Sequence, residues 1–170
     1  MTIEINSDNS TNNTAGHCPA PRSFTVPVCF KGEEPCEAEK QKRIIYGAML
    51  TRLDRFIGTA QIQAMREVLA SAESRYMQSK IVELTDIIET MPKTYETDGQ
   101  ADPVVYLHYF VGGCDWYVTE LDCEVEQLQA FGKADLGCGF PELGYISIVE
   151  ILQTGAELDL HWSLCKVSEV

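Results

Sequence analysis

Pro92 divides the chain into two stretches with different hydrophobic periods, and this change constrains the fold more than any other feature. Upstream, residues recur at helical spacing: Ile45, Met49, Arg52 or Leu53, and Phe56, with Ile44, Ala48 and Ile57 widening the stripe. Gly58 predicts the end of this helix and Thr59 the cap of the next. Ile62, Met65, Leu69, Ala72 and Tyr76 then form one seam. Met77, Ile81, Leu84, Ile88 and Met91 form a second seam, offset by one residue. One unbroken helix over 60–91 would be about 46 Å long at roughly 1.5 Å per residue, too long for a small domain. The offset therefore predicts a break near Ser71–Arg75. Pro92 stops the run because its ring removes the donor that would continue it. Such seams ordinarily become intramolecular core. The sharper reading is a homodimer through the helical section.

Downstream of the polar stretch from Thr94 to Asp102, the pattern is that of strands. Val104 to Val111 is β-branched and aromatic throughout and predicts a central strand. Gly112-Gly113 turns the chain into a hairpin partner over 115–121, and residues 128–136 alternate as a third strand. Leu143 to Ile146 is a short fourth. Ser147 and Glu150 match a capping box that opens a short helix over 148–153, closed by Gly155. Leu158, Leu160 and Trp162 alternate in a last strand. The expected fold class is α+β: an N-terminal helical section with a small antiparallel sheet carrying a short helix. The expected organisation is a poorly ordered, proline-containing lead over 1–36, helices over 37–92, and an acidic sheet domain over 93–170.

Charge narrows the function classes. The chain has 13 Lys and Arg against 26 Asp and Glu, a net charge of −13. Residues 1–100 hold 11 basic and 14 acidic groups, a net of −3. Residues 101–170 hold 2 basic (Lys133, Lys166) and 12 acidic groups, a net of −10. A field of that sign repels phosphates, so no direct nucleic-acid binding is expected, and the natural charged partner is a basic protein surface or a cation. The bland reading of the same charge is solubility. No run approaches the length of a membrane span, and the opening Met-Thr-Ile-Glu-Ile-Asn has neither the basic nor the apolar region of a secretory leader. No membrane partner and a cytoplasmic location are expected.

The seven cysteines (18, 29, 36, 114, 123, 138, 165) are odd in number and contain no Cys-x-x-Cys pair, so free thiols are expected rather than a disulfide framework. His17, Cys18, Cys29 and Cys36 supply four potential ligands, but at separations unlike a zinc knuckle. His108 and His161 with one of Asp115, Glu120, Glu142 or Asp159 can be drawn as a two-histidine, one-carboxylate metal site, although neither histidine stands at a metal-ligand spacing. They are the weak metal candidates. Cys114 and Cys138 lack a base placed by any short motif, and the turn Leu136-Gly-Cys-Gly139 lacks the lysine and helix of a phosphate loop. No catalytic residue, metal or cofactor is assigned. The candidate partner-binding residues are Asp115, Glu120, Asp122, Glu124 and Glu126, since Glu120 to Glu126 places four acids in seven residues without a counter-charge.

Five segments, taken together, carry a resemblance. They are Val105 to Phe110, Asp115 to Glu120, Gln129 to Gly132, Glu142 to Glu150 and Glu157 to Trp162. Over about residues 90–165 the chain resembles an uncharacterised bacterial domain carried by plasmids, prophages and integrative conjugative elements. The resemblance implies a mobile-element setting and transfers no chemistry. In that setting the expected function is protein binding, as an anti-CRISPR or anti-restriction inhibitor whose acidic surface occludes the basic groove of a nucleic-acid-handling complex. The alternative is a small enzyme or metal-binding accessory factor using His108 and His161.

Overall fold

The computed structural model describes residues 36–122 and 128–170, all within a compact unit spanning Pro35–Val170. The expected lead over 1–36 therefore lies outside the described residues, apart from Cys36. So do His17, Cys18, Cys29, Cys123, Glu124 and Glu126.

Three helices come first: α1 (Glu37–Leu53), α2 (Thr59–Ala70) and α3 (Ser74–Thr90). The offset seam breaks where its phase changes, with Ser71 in extended conformation between α2 and α3. Ile62, Met65, Met77, Ile81, Leu84, Ile88 and Met91 are all buried, so the second seam and the start of the first serve this chain's own core, whereas Ala72 and Tyr76 at the end of the first are exposed. The start of α2 differs from expectation. Gly58, rather than ending α1, caps α2 in extended conformation (φ −59°, ψ 147°), and Thr59 is already helical. Helix α1 ends at Leu53, and the turn behind it buries Phe56 and Ile57.

The second half is an antiparallel sheet of β2 (Leu107–Val111), β3 (Cys114–Leu121), β4 (Gln129–Asp135), β5 (Glu142–Ser147) and β6 (Glu157–Leu158), in the order β5-β4-β3-β2-β6. The stretch expected as one central strand is divided. Val104–Val105 (β1) leaves the sheet to pair with Cys165–Lys166 (β7), while Tyr106 N–H still donates to Val118 O at 2.8 Å. The last strand is also shorter than expected. After Leu158, the Asp159 carboxylate accepts from His161 N–H at 2.8 Å, an Asx turn that takes Trp162 out of the ladder. Helix α4 (Ile148–Gln153) starts as its sequence predicts, with Ser147 Oγ accepting from Glu150 N–H, and Gly155 (φ 84°) closes it.

One face of the sheet carries Leu107, Tyr109, Trp116, Val118, Leu121, Ala130, Ile146 and Leu158, which merge with the buried residues of α1–α3 in one apolar core. Two polar ties lock the layers. Tyr109 O–H donates to Phe56 O at 2.9 Å, and Gln61 exchanges two hydrogen bonds with the Leu158 backbone. The architecture is α+β, with helices on one side of a small antiparallel sheet. No helix among the described residues is long and apolar enough to cross a membrane.

Candidate functional site

The other face of the sheet holds the polar and aromatic residues. Strand pairing sets them in rows: Phe110–Asp115–Asp135, then His108–Tyr117–Lys133–Leu143, then Glu120–Phe131–Tyr145. Simple alternation would not put Glu120 in its row. Trp116 and Val118 face the core, so an unbroken strand would send Glu120 there as well. A bulge at Thr119 prevents this. Val118 pairs with Gly132 but Glu120 with Phe131, and the extra residue turns Glu120 to the open face. Thr119 is itself buried, and its hydroxyl donates to Phe131 O at 3.1 Å. Gly132 permits the close approach. A Cβ there would lie 2.0 Å from the Tyr117 carbonyl oxygen, a backbone atom with no freedom to move aside.

Glu120 is only 4% exposed, which corrects its reading as a residue displayed to a partner. Tyr95 N–H donates to its Oε2 and Thr97 N–H to its Oε1, both at 2.8 Å, and the Thr97 hydroxyl also donates to Oε1. The side chain thus satisfies the backbone of the 94–97 loop, whose donors would otherwise be unpaired. Tyr95 pays no such respect to its own preferences: at φ 73° it is the one non-glycine residue with positive φ among the described residues, a conformation that strains a bulky side chain. Its ring is 72% exposed, and its hydroxyl meets that of Tyr145 at 2.6 Å. Tyr145 packs edge-on against Phe131, with centroids 5.6 Å apart. The hydrogen bond to Tyr95 is the main reason the Tyr145 phenol titrates above its ordinary value, with smaller contributions from desolvation and from the charge of Glu120.

Together the loop and the sheet enclose a cleft of about 330 Å³, with Glu120, Phe131, Leu143, Tyr95 and Tyr145 in its walls and Asp98 at its side. The Thr94 hydroxyl in the same wall is buried without a hydrogen-bond partner. Two further grooves lie in the helical layer. The first, about 250 Å³, holds Arg43 and Arg66, and the second, about 430 Å³, holds Arg55 and Lys93.

His108 occupies a different part of the open face. Its Nε2 lies 2.8 Å from Asp115 and its Nδ1 3.3 Å from Asp159. The ring stacks on Tyr117 (4.9 Å, 7°) and is tilted against Trp162 at 4.7 Å, leaving the side chain 13% exposed. Asp115, expected at the partner surface, is therefore engaged in joining β2 to β3. Burial, followed by the nearby charges of Asp115 and Asp135, pushes the Tyr117 phenol up. His161 instead meets the Tyr76 hydroxyl on α3 through Nδ1, at 3.1 Å. The two histidines and a carboxylate do not form the drawn metal site, because each ring is directed to its own partners, and no group of three or more metal-binding side chains occurs among the described residues. Asp122 has an interaction partner of its own. Cys36, Cys114, Cys138 and Cys165 are free thiols, and burial raises that of Cys165.

A family profile described as "Protein of unknown function (DUF2958)" matches residues 77–163, which include most of α3, the whole main sheet and both open-face clusters. The chain belongs to this family. The cleft row Glu120–Phe131–Tyr145 and the His108 cluster both lie inside the DUF2958 region, whereas α1 and α2 lie outside it. No curated protein and no solved structure matches the chain.

Proposed function

We propose that this DUF2958 protein acts by binding a basic surface of another protein. In a mobile-element setting, it would be an anti-CRISPR or anti-restriction inhibitor that occludes the nucleic-acid groove of its target. The observation that carries this reading is where the charges pair. Every Lys or Arg ion pair among the described residues lies in the helical layer: Lys40–Glu37, Arg52–Glu89 and Lys80–Glu83. Of the two lysines of the sheet half, Lys133 meets the main-chain oxygen of Val170, the last residue described, and Lys166 donates to Asp102 O, so neither pairs with an acidic side chain. Exposed acids such as Asp98, Glu142, Glu150 and Glu157 have no ion-pair partner among the described residues, and their combined field would steer a basic partner and repel nucleic acid. The sheet rather than the helices is the binding side in this reading. The acidic surface differs from the set expected from sequence, since Glu120 is buried and Asp115 holds His108. Glu124 and Glu126 remain part of the proposal on their sequence alone.

Affinity capture with the tagged protein from a host lysate, at low and at high salt, tests this. A nuclease complex held at low salt and released at high salt is the expected result, because exposed ion pairs are screened. Capture of nothing at either salt contradicts the reading.

A further inference from the structure

We propose that the cleft between the 94–97 loop and the Glu120–Phe131–Tyr145 row receives the guanidinium group of an arginine presented by the protein partner. This rests on the binding function above and names the chemistry of its central contact.

Four features of the cleft point to a planar cation. Its walls are aromatic: Tyr95 and Tyr145 are both exposed, and Phe131 lies edge-on behind Tyr145. The faces of such rings attract cations, and guanidinium, being flat and weakly hydrated, stacks on them better than ammonium does. At the wall stands a carboxylate with unused capacity. A carboxylate offers about four acceptor sites; Glu120 fills two on Oε1 and one on Oε2, leaving Oε2 able to take another donor. No Lys or Arg of the described residues pairs with Glu120 or with Asp98, so no described residue supplies a cation there. Finally, the volume, about 330 Å³, suits one side chain. It lies at the low end of the roughly 300–1,000 Å³ of small-molecule sites.

The strained backbone of Tyr95 fits the same purpose. Glu120 anchors the amides on either side of Glu96, and this over-determined loop holds the Tyr95 ring over the cleft before any partner arrives. Ordering paid in the free protein is not paid again on binding.

The test uses the full-length, nitrogen-15-labelled protein titrated with N-acetyl-arginine amide and, separately, with the uncharged isostere N-acetyl-citrulline amide. Saturable shifts of the Tyr95, Thr97 and Tyr145 amides are expected with the arginine probe, and about two- to fivefold weaker binding of citrulline, the size of one exposed cation–π contact. Tyr145→Ala, at an exposed position, should weaken arginine binding by a similar factor while leaving core amides in place. Equal binding of the two probes, or no saturable shift at these amides, overturns the assignment. A protamine-like basic peptide added to the same sample separates the two levels. If it binds at Asp98 and Glu157 while the arginine probe leaves the cleft unmoved, the arginine site falls and the acidic-surface reading stands. If neither binds, both fall.

Discussion

The two faces of the same five-stranded sheet obey different rules. On the core face, Leu107, Tyr109, Trp116, Val118, Ala130 and Leu158 follow the period of a strand, and burial against α1–α3 specifies each of them. The open face holds His108, Tyr117, Lys133, Glu120, Phe131 and Tyr145; polar partners fix His108, Lys133, Glu120 and Tyr145, and ring contacts hold Tyr117 and Phe131. The faces exchange identity at one residue, Thr119, where the bulge redirects Glu120 from core to cleft. The lesson is that one irregularity in a ladder converts a carboxylate that would have been costly in the core into the organiser of a loop.

The largest test of this contrast is Gly132→Ala. Its Cβ meets the backbone of Tyr117 at 2.0 Å, so the strand must shift and the bulge with it. A loss of about 3 kcal/mol in denaturant unfolding is expected, at the upper end for overpacking. Removing the redirected side chain comes next. Glu120→Ala leaves the Tyr95 and Thr97 amides without acceptors and should lower stability by about 2 kcal/mol. Hydrogen exchange should speed up at those two amides and not in α2 or α3.

On the core face, Tyr109→Phe deletes the bond to Phe56 O and should cost about 1 kcal/mol at neutral pH. Its pH signature is distinctive. Burial raises the Tyr109 phenol well above its ordinary value of 10.0, so the unfolded chain loses this proton first. Tyr109 thus contributes stability fully below pH 10, and that contribution is lost as pH climbs beyond it. Denaturant midpoints measured across alkaline pH should fall less steeply in the phenylalanine variant. The smallest effect belongs to the open face: Tyr95→Phe removes the main cause of the raised Tyr145 phenol, whose titration by ultraviolet difference spectroscopy should move down.

Much of the fold is legible in the sequence because it depends on local signals. The phase shift between the Ile62 and Met77 seams marks the break after Ala70, and Ser147 with Glu150 marks the start of α4. The places that escape are those where tertiary pairing decides. Val104–Val105 reads as one strand with its successors, yet it pairs with Cys165–Lys166 from the far end of the chain. Leu160 and Trp162 continue the alternation of Leu158, yet the Asp159 carboxylate turns the chain first. Of the candidate site, Glu120 is singled out by its acidic neighbours and then found buried, since nothing in a run of residues announces a bulge. The signal available was Gly132, a glycine inside an otherwise regular alternating strand. The pairing of His108 with Asp115 and Asp159 was equally hidden, because it joins β2, β3 and the turn after β6.

The central claim is that the sheet half, not the helical layer, meets a basic partner. Its most direct test is affinity capture at low salt with two charge-reversed variants, Asp98→Lys with Glu157→Lys on the sheet half and Glu39→Lys with Glu73→Lys on the helices. Asp98, Glu157 and Glu73 are exposed and Glu39 is partly exposed, so both variants should fold. Loss of the captured complex with the sheet variant, and its retention with the helix variant, is the result expected. Equal retention by the two variants, or loss with the helix variant alone, contradicts the account.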